Sequence, residues 1–123
     1  MRLGCTMLAV VILAVLSIQA LAQGIGSKLV FGQGTNSCGG WTQSRQARSV
    51  SAGLSAQWVA GYLSGMNSES TLLDPQDDPL LGTDFDGLVA WIDNYCRSHP
   101  LEPIVTAATR LMDELRARAQ RRH

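Results

Sequence analysis

The sequence is short of the residues that most often carry chemistry. Two histidines and three cysteines occur in 123 residues, and no Cys-x-x-Cys pair is among them. A dithiol redox motif is thereby excluded. A zinc site needs four ligands, and beyond the amino-terminal Cys5 only Cys38, Cys96, His99 and the terminal His123 are on offer. His99 is the sole internal histidine and stands beside Pro100, where a turn role is the plain reading, so a nucleophile has no evident base. Carboxylates are plentiful, but no motif fixes two of them at hydrolytic spacing. Gly24-Ile25-Gly26 and Gly32-Gln33-Gly34 lack the spacing and the Lys-Ser/Thr of a phosphate loop. Asp84-Phe85-Asp86-Gly87 matches part of a calcium loop, without its later ligands or closing Glu. These absences predict a protein that is not an enzyme and has no cofactor or metal.

What is present begins at the amino terminus. Met1-Arg2 gives a positive start, Met7 to Leu16 is an uninterrupted apolar run, and Ala20-Leu21-Ala22 places small residues where signal peptidase reads them. The run is shorter than the roughly 20 residues a bilayer crossing needs. It therefore predicts a cleaved signal peptide over residues 1–22, with cleavage before Gln23, and no membrane association afterwards. Cys5 precedes the run, whereas a lipid-modified cysteine would follow it, so Cys5 leaves with the signal.

The mature chain has nine basic and ten acidic side chains, a formal charge of −1 with histidine neutral. That argues against a nucleic-acid partner. The charges are segregated. Glu69, Asp74, Asp77, Asp78, Asp84, Asp86 and Asp93 form a stretch without Lys or Arg, while Arg110, Arg116, Arg118, Arg121 and Arg122 crowd the carboxyl end. A solvated loop and a solvated last helix account for such runs, and a dipolar surface also steers charged partners. The acidic residues Glu69, Asp74, Asp77, Asp78, Asp84 and Asp86 are the candidate partner contacts.

Cys38 and Cys96 remain after cleavage, and in an oxidising compartment a pair is most simply one disulfide. Closing so long a loop is worth roughly 4 kcal/mol, a large share of the 5–15 kcal/mol typical of a domain, on the order of one bridge to the whole. Residues 23–40, rich in Gly, Ser, Asn and Gln, read as a flexible leader whose Leu29-Val30-Phe31 patch either pairs as a strand or packs on helices. Residues 41–123 read as a single helical domain of about three main helices, an all-α disulfide-linked bundle. Between Trp41 and Met66, Val50, Leu54, Trp58, Gly61, Tyr62 and Gly65 fall on one face at helical spacing. Glycines on that face suit close packing of another element, and a break near Gly53 suits the pattern equally. Asn67 to Thr83 reads as a loop or a loop with a helical turn, with Thr83 or Asp84 capping the next helix. That helix runs from about Phe85 to Arg97 with a stripe of Phe85, Leu88, Val89, Ile92, Tyr95 and Cys96, and stops at His99-Pro100. The last starts near Leu101, takes Pro103 in its first turn, and carries Ile104, Val105, Ala108, Leu111, Met112 and Leu115. Trp41, Trp58 and Trp91 read as core or rim residues.

Ser37-Cys38-Gly39-Gly40-Trp41, then Trp58 through Gly61-Tyr62-Leu63-Ser64-Gly65 to Asn67, then Trp91-Ile92-Asp93-Asn94-Tyr95-Cys96 with His99-Pro100-Leu101, together resemble the Rap/Tai-type immunity-protein domain of type VI secretion. The resemblance spans most of the mature chain, in order. It marks Trp58, Gly61, Tyr62, Gly65, Trp91, Asp93, Asn94 and Pro100 as scaffold positions. It implies periplasmic residence and, in the best-understood members, neutralisation of a toxic cell-wall amidase by occlusion. The layout also looks like that of the Hde acid-stress chaperones, the alternative in a different functional class, and an exported helical protein with some other binding role is the third reading.

Overall fold

The computed structural model describes residues 29–76 and 78–122. The signal peptide, its cleavage position, the first part of the leader and Asp77 lie outside them. After a 3-10 turn at Gly32–Thr35, four helices follow: α1 over Cys38–Gln46, α2 over Val50–Leu73, α3 over Phe85–Ser98 and α4 over Ile104–Gln120. No strand occurs among the described residues, and the one isolated bridge joins Ser37 and Pro103. The all-α, disulfide-linked bundle is thus as expected, with four helices in place of about three.

The additional helix arises because the region expected to be one helix from Trp41 divides between α1 and α2. Arg48 takes a positive φ of 49°. Its N–H reaches Arg45 O at 3.1 Å and the Ser49 N–H reaches Ser44 O at 3.1 Å, the paired bonds of a Schellman ending. Glycine is the usual occupant of that left-handed position, and here it is arginine. Gly53, near which the pattern allows a break, lies inside α2, and the break falls just before it in sequence, between Gln46 and Val50. At its other end α2 continues through Leu73, so the first part of the expected loop is helical and the chain turns only ahead of Pro75.

The face that α2 buries also differs from expectation. Ala52, Ser55, Ala56, Val59, Leu63 and Ser70 are buried, whereas Val50 is 82% exposed and Leu54 is exposed too. A Cβ at Gly61 or Gly65 would meet nothing within 4 Å, so no element packs against these glycines. Val50 to Ser68 contains no charged residue. With no polar face to settle the choice, the small side chains win because they let α2 approach α1, α4 and the 3-10 turn closely.

The end of the leader is ordered, against the expectation of flexibility through residue 40. Ser37 caps α1, its Oγ accepting the Gly40 N–H at 3.1 Å. The 3-10 turn slides beneath the Trp58 ring, and Gly34 is obligatory there because a Cβ would fall inside that ring's van der Waals envelope. Trp58 Nε1 donates to Phe31 O at 3.0 Å. Leu29 and Phe31 themselves are exposed and form neither a strand nor a packed patch.

The second half follows its pattern closely. Asp84 caps α3, its Oδ1 accepting the Gly87 N–H at 2.6 Å, and Val89, Ile92 and Cys96 are buried. Helix α4 buries Ile104, Ala107, Ala108, Leu111, Met112, Leu115 and Ala119. It begins after Pro103, which serves as N-cap, so Leu101 stays outside and exposed. The Cys38–Cys96 disulfide ties the start of α1 to α3 with a Cα–Cα distance of 4.7 Å. Backbone bonds reinforce it: Cys38 N–H to Glu102 O at 2.8 Å, Gly39 N–H to Pro100 O at 2.8 Å and Ile104 N–H to Asn36 O at 2.9 Å. Among the described residues no helix is long and apolar enough to cross a membrane.

Candidate partner-binding surface

The acidic stretch forms one end of the molecule. Glu69 lies in the last part of α2, Asp74 and Asp78 in the connecting loop, and Asp84 and Asp86 at the start of α3. Three of these carboxylates shape the backbone. Asp74 Oδ1 accepts the Gln76 N–H at 3.0 Å, Asp78 Oδ1 accepts the Leu80 N–H at 3.1 Å and Asn67 Nδ2 at 3.0 Å, and Asp84 is the α3 cap. Such side-chain turns are what Asp does best outside regular structure. Buried Pro79 and half-buried Leu80 anchor the loop to the core. From the other pole of the charge pattern, Arg122 donates to Leu81 O at 2.9 Å and to Asp78 O at 3.3 Å. The carboxyl end of α4 therefore clasps the loop through its carbonyls, and among the described residues none of these carboxylates makes a salt bridge. Arg45–Asp93 is the sole salt bridge among the described residues.

Large apolar side chains stand between these acids. Leu72 and Leu73 are each 85% exposed, Leu81 61% and Phe85 42%. Lone exposed leucines are ordinary, but four large apolar side chains exposed within one short acidic stretch of the chain mark a candidate interaction site. The sequence reading found the acids and missed Leu72, Leu73 and Leu81 as contacts. The Leu72-Leu73 pair, enclosed by polar residues just before Pro75, was the available signal.

Of the remaining motif residues, the aromatic ones and Asp93 build the scaffold, whereas Gly61 and Gly65 are exposed with no described element packed against them, and Asn94 and Pro100 lie at the surface. Trp58 stacks on Tyr62 with centroids 5.0 Å apart. Trp91 Nε1 donates to Glu114 at 3.0 Å, and Trp91, Tyr95 and His99 stack in a column at 5.3 and 4.2 Å. Tyr95 donates to Glu102 at 2.6 Å. That bond, then burial and the Glu102 charge, raise the phenol above its ordinary range, against the opposing pull of Arg110. Asn94 accepts from Arg97 at 3.1 Å, and Pro100 supplies the carbonyl for Gly39. Asp93 is the joint of the motif. Its Oδ1 accepts the indole N–H of fully buried Trp41 at 2.7 Å and Arg45 Nε at 3.0 Å, and its Oδ2 accepts Arg45 Nη2 at 2.9 Å. The hydrogen bond to Asp93 raises the Arg45 guanidinium above its usual range, with desolvation opposing and the charges of Asp93 and Asp86 adding. Of the three tryptophans only Trp41 is core, while Trp58 and Trp91 are half-buried rim residues. Among the described residues no group of three or more His, Cys, Asp or Glu side chains is close enough to hold a metal ion.

Compared with protein-family models, with curated proteins and with solved structures, the chain has no significant match. The functional reading therefore rests on the surface itself and on the motif resemblance.

Proposed function

We propose that the mature chain is an exported binding protein that occludes a protein partner with its acidic, leucine-bearing end. The observation that carries this is the exposure of Leu72, Leu73, Leu81 and Phe85 among carboxylates that make no salt bridge within the described residues. Apolar anchors of this kind supply most of an interface's free energy, and the surrounding charges supply encounter rate and partner choice. A negatively charged, apolar-studded end fits a partner with a basic rim around an apolar recess. The buried disulfide supports residence in an oxidising compartment. The Rap/Tai-like motifs suggest the partner's class, a toxic peptidoglycan amidase in the periplasm, with the protein acting as its immunity factor.

The test is capture from periplasmic extract with the oxidised domain as bait, at neutral pH and near pH 3, with mass-spectrometric identification. One stoichiometric partner at neutral pH, a peptidoglycan hydrolase above all, is the expected result. Many partners retained only in acid would replace this reading with the acid-stress chaperone.

A further inference from the structure

Two adjoining cavities, of about 410 and 370 Å³, lie along α3 and meet at Arg45 and Asp93, which line both; together they make a groove. One end is basic: Arg48, from the left-handed turn after α1, and Arg97, from the last turn of α3, face it. The other end holds Phe85 and Asp86, from the first turn of α3. Between them the walls are small and apolar, with Gly53 and Ala56 from α2 opposite Ala90 from α3. The central charges cancel internally, because Asp93 is fully engaged by Arg45 and Trp41. The ends do not cancel. Arg97 donates only to the neutral Asn94 amide, and among the described residues neither Arg48 nor Asp86 has a salt-bridge partner. Interaction with the helix dipole explains a cation at the end of α3 and an anion at its start, but not the two adjoining cavities that lie between them.

We infer that this groove binds an extended peptide segment of a protein partner, with an acidic residue seated at Arg48 and Arg97, small apolar side chains along the middle, and a basic residue at Asp86. The match of a charged groove with neutral walls to a segment of opposite charge pattern carries the assignment. Asp86 and Arg97 are eleven residues apart on one helix, about 16 Å at 1.5 Å per residue. An extended chain covers that span in about five residues. The proposal rests on the binding reading and deepens it: Phe85 and Asp86 belong to both surfaces, so the groove continues the acidic end.

Gly53 provides a clean test, because a Cβ there meets nothing within 4 Å. Gly53→Leu fills the groove from a helix-interior position where glycine is the poorer helix former. Random heptapeptides displayed on phage are selected on the oxidised wild-type domain, and the enriched peptides are titrated into ¹⁵N-labelled protein. The expected consensus has an acid and a base separated by small apolar residues. The expected shifts fall on amides of Ala52 to Gln57 and Ala90 to Arg97, and Gly53→Leu weakens binding by about tenfold or more with an unchanged circular dichroism spectrum. Arg48→Glu neutralises that end against Arg97 and removes the preference for an acid from the selected peptides. Absence of enriched peptides, equal binding by Gly53→Leu, or shifts confined to Leu72 through Leu81 would overturn the groove. The last two outcomes, or a partner captured in the periplasmic experiment without any groove peptide, leave the binding reading standing, so the two failures are separable.

Discussion

Asp93→Ala is predicted to be the most damaging single-carboxylate substitution in the domain. Asp93 accepts three hydrogen bonds across the α1–α3 seam, and they are not equal. The Trp41 ring is 1% exposed, so its indole N–H has no water to turn to when the acceptor is lost. An unsatisfied buried donor costs about 1–3 kcal/mol. The Arg45 pair is bidentate but half-open to solvent, with side-chain exposures of 41% and 27%, and such pairs contribute about 0–1 kcal/mol. Asp93→Ala should therefore cost about 1–4 kcal/mol, or roughly 4–30 °C in Tm for a domain of this size. Arg45→Ala should cost no more than about 1 kcal/mol, since Trp41 keeps its acceptor. Asp93→Asn, whose amide oxygen still receives the indole, should fall between them. Urea unfolding of the oxidised domain followed by far-ultraviolet circular dichroism measures all three. Equal losses for Arg45→Ala and Asp93→Ala would refute the reasoning, because the seam would then depend on the ion pair and not on the buried indole.

Gly34→Ala places a methyl group inside the Trp58 ring's space and displaces the ring from Phe31 O. Denaturant unfolding should show a loss of about 1–3 kcal/mol. Gly61→Ala and Gly65→Ala face open solvent within α2, and each should be neutral or stabilising by up to about 1 kcal/mol in the same assay. Destabilisation by either would restore the close-packed face that the sequence pattern suggested. The raised phenol of Tyr95 sets a pH dependence. The unfolded chain releases that proton near its ordinary value of 10.0, while the folded chain, through Glu102, holds it to higher pH. Its contribution is full below that value and declines as pH rises through the folded value. Urea midpoints at neutral pH and above pH 10 should fall more steeply for the wild type than for Tyr95→Phe.

The contrast between the two halves of the chain shows what a sequence discloses. In α3 and α4 large apolar residues alternate with charges at helical spacing, Asp84 and Pro103 stand at the starts, and Pro100 follows the α3 stop. Period, polarity and punctuation agree, and the buried faces follow from them. Helix α2 offers no such agreement. The first part of its interior face is made of Ala52, Ser55 and Ala56, whose burial follows from close helix approach and not from hydrophobicity, with Val59 and Leu63 buried after them, while the conspicuous Val50 and Leu54 face outward. A break was an open alternative, but its position before α2 was illegible because Arg48 fills a site at which glycine is the recognisable signal. The Trp41–Asp93 joint lies between residues 52 apart, a relation no local pattern encodes. The candidate surface was half visible: charge clustering located it, and only the fold separated the buried Pro79 and half-buried Leu80 from the exposed Leu72, Leu73 and Leu81.

The central claim is that the acidic, leucine-bearing end captures a specific partner. Its most direct test is periplasmic capture at neutral pH with two oxidised baits, the wild-type domain and the Leu72→Ser, Leu73→Ser double variant, whose changes lie on exposed side chains. One stoichiometric partner is expected on the wild type, reduced by about tenfold or more on the variant, as loss of interface anchors requires. Equal recovery on both baits, or no partner on either, would contradict it.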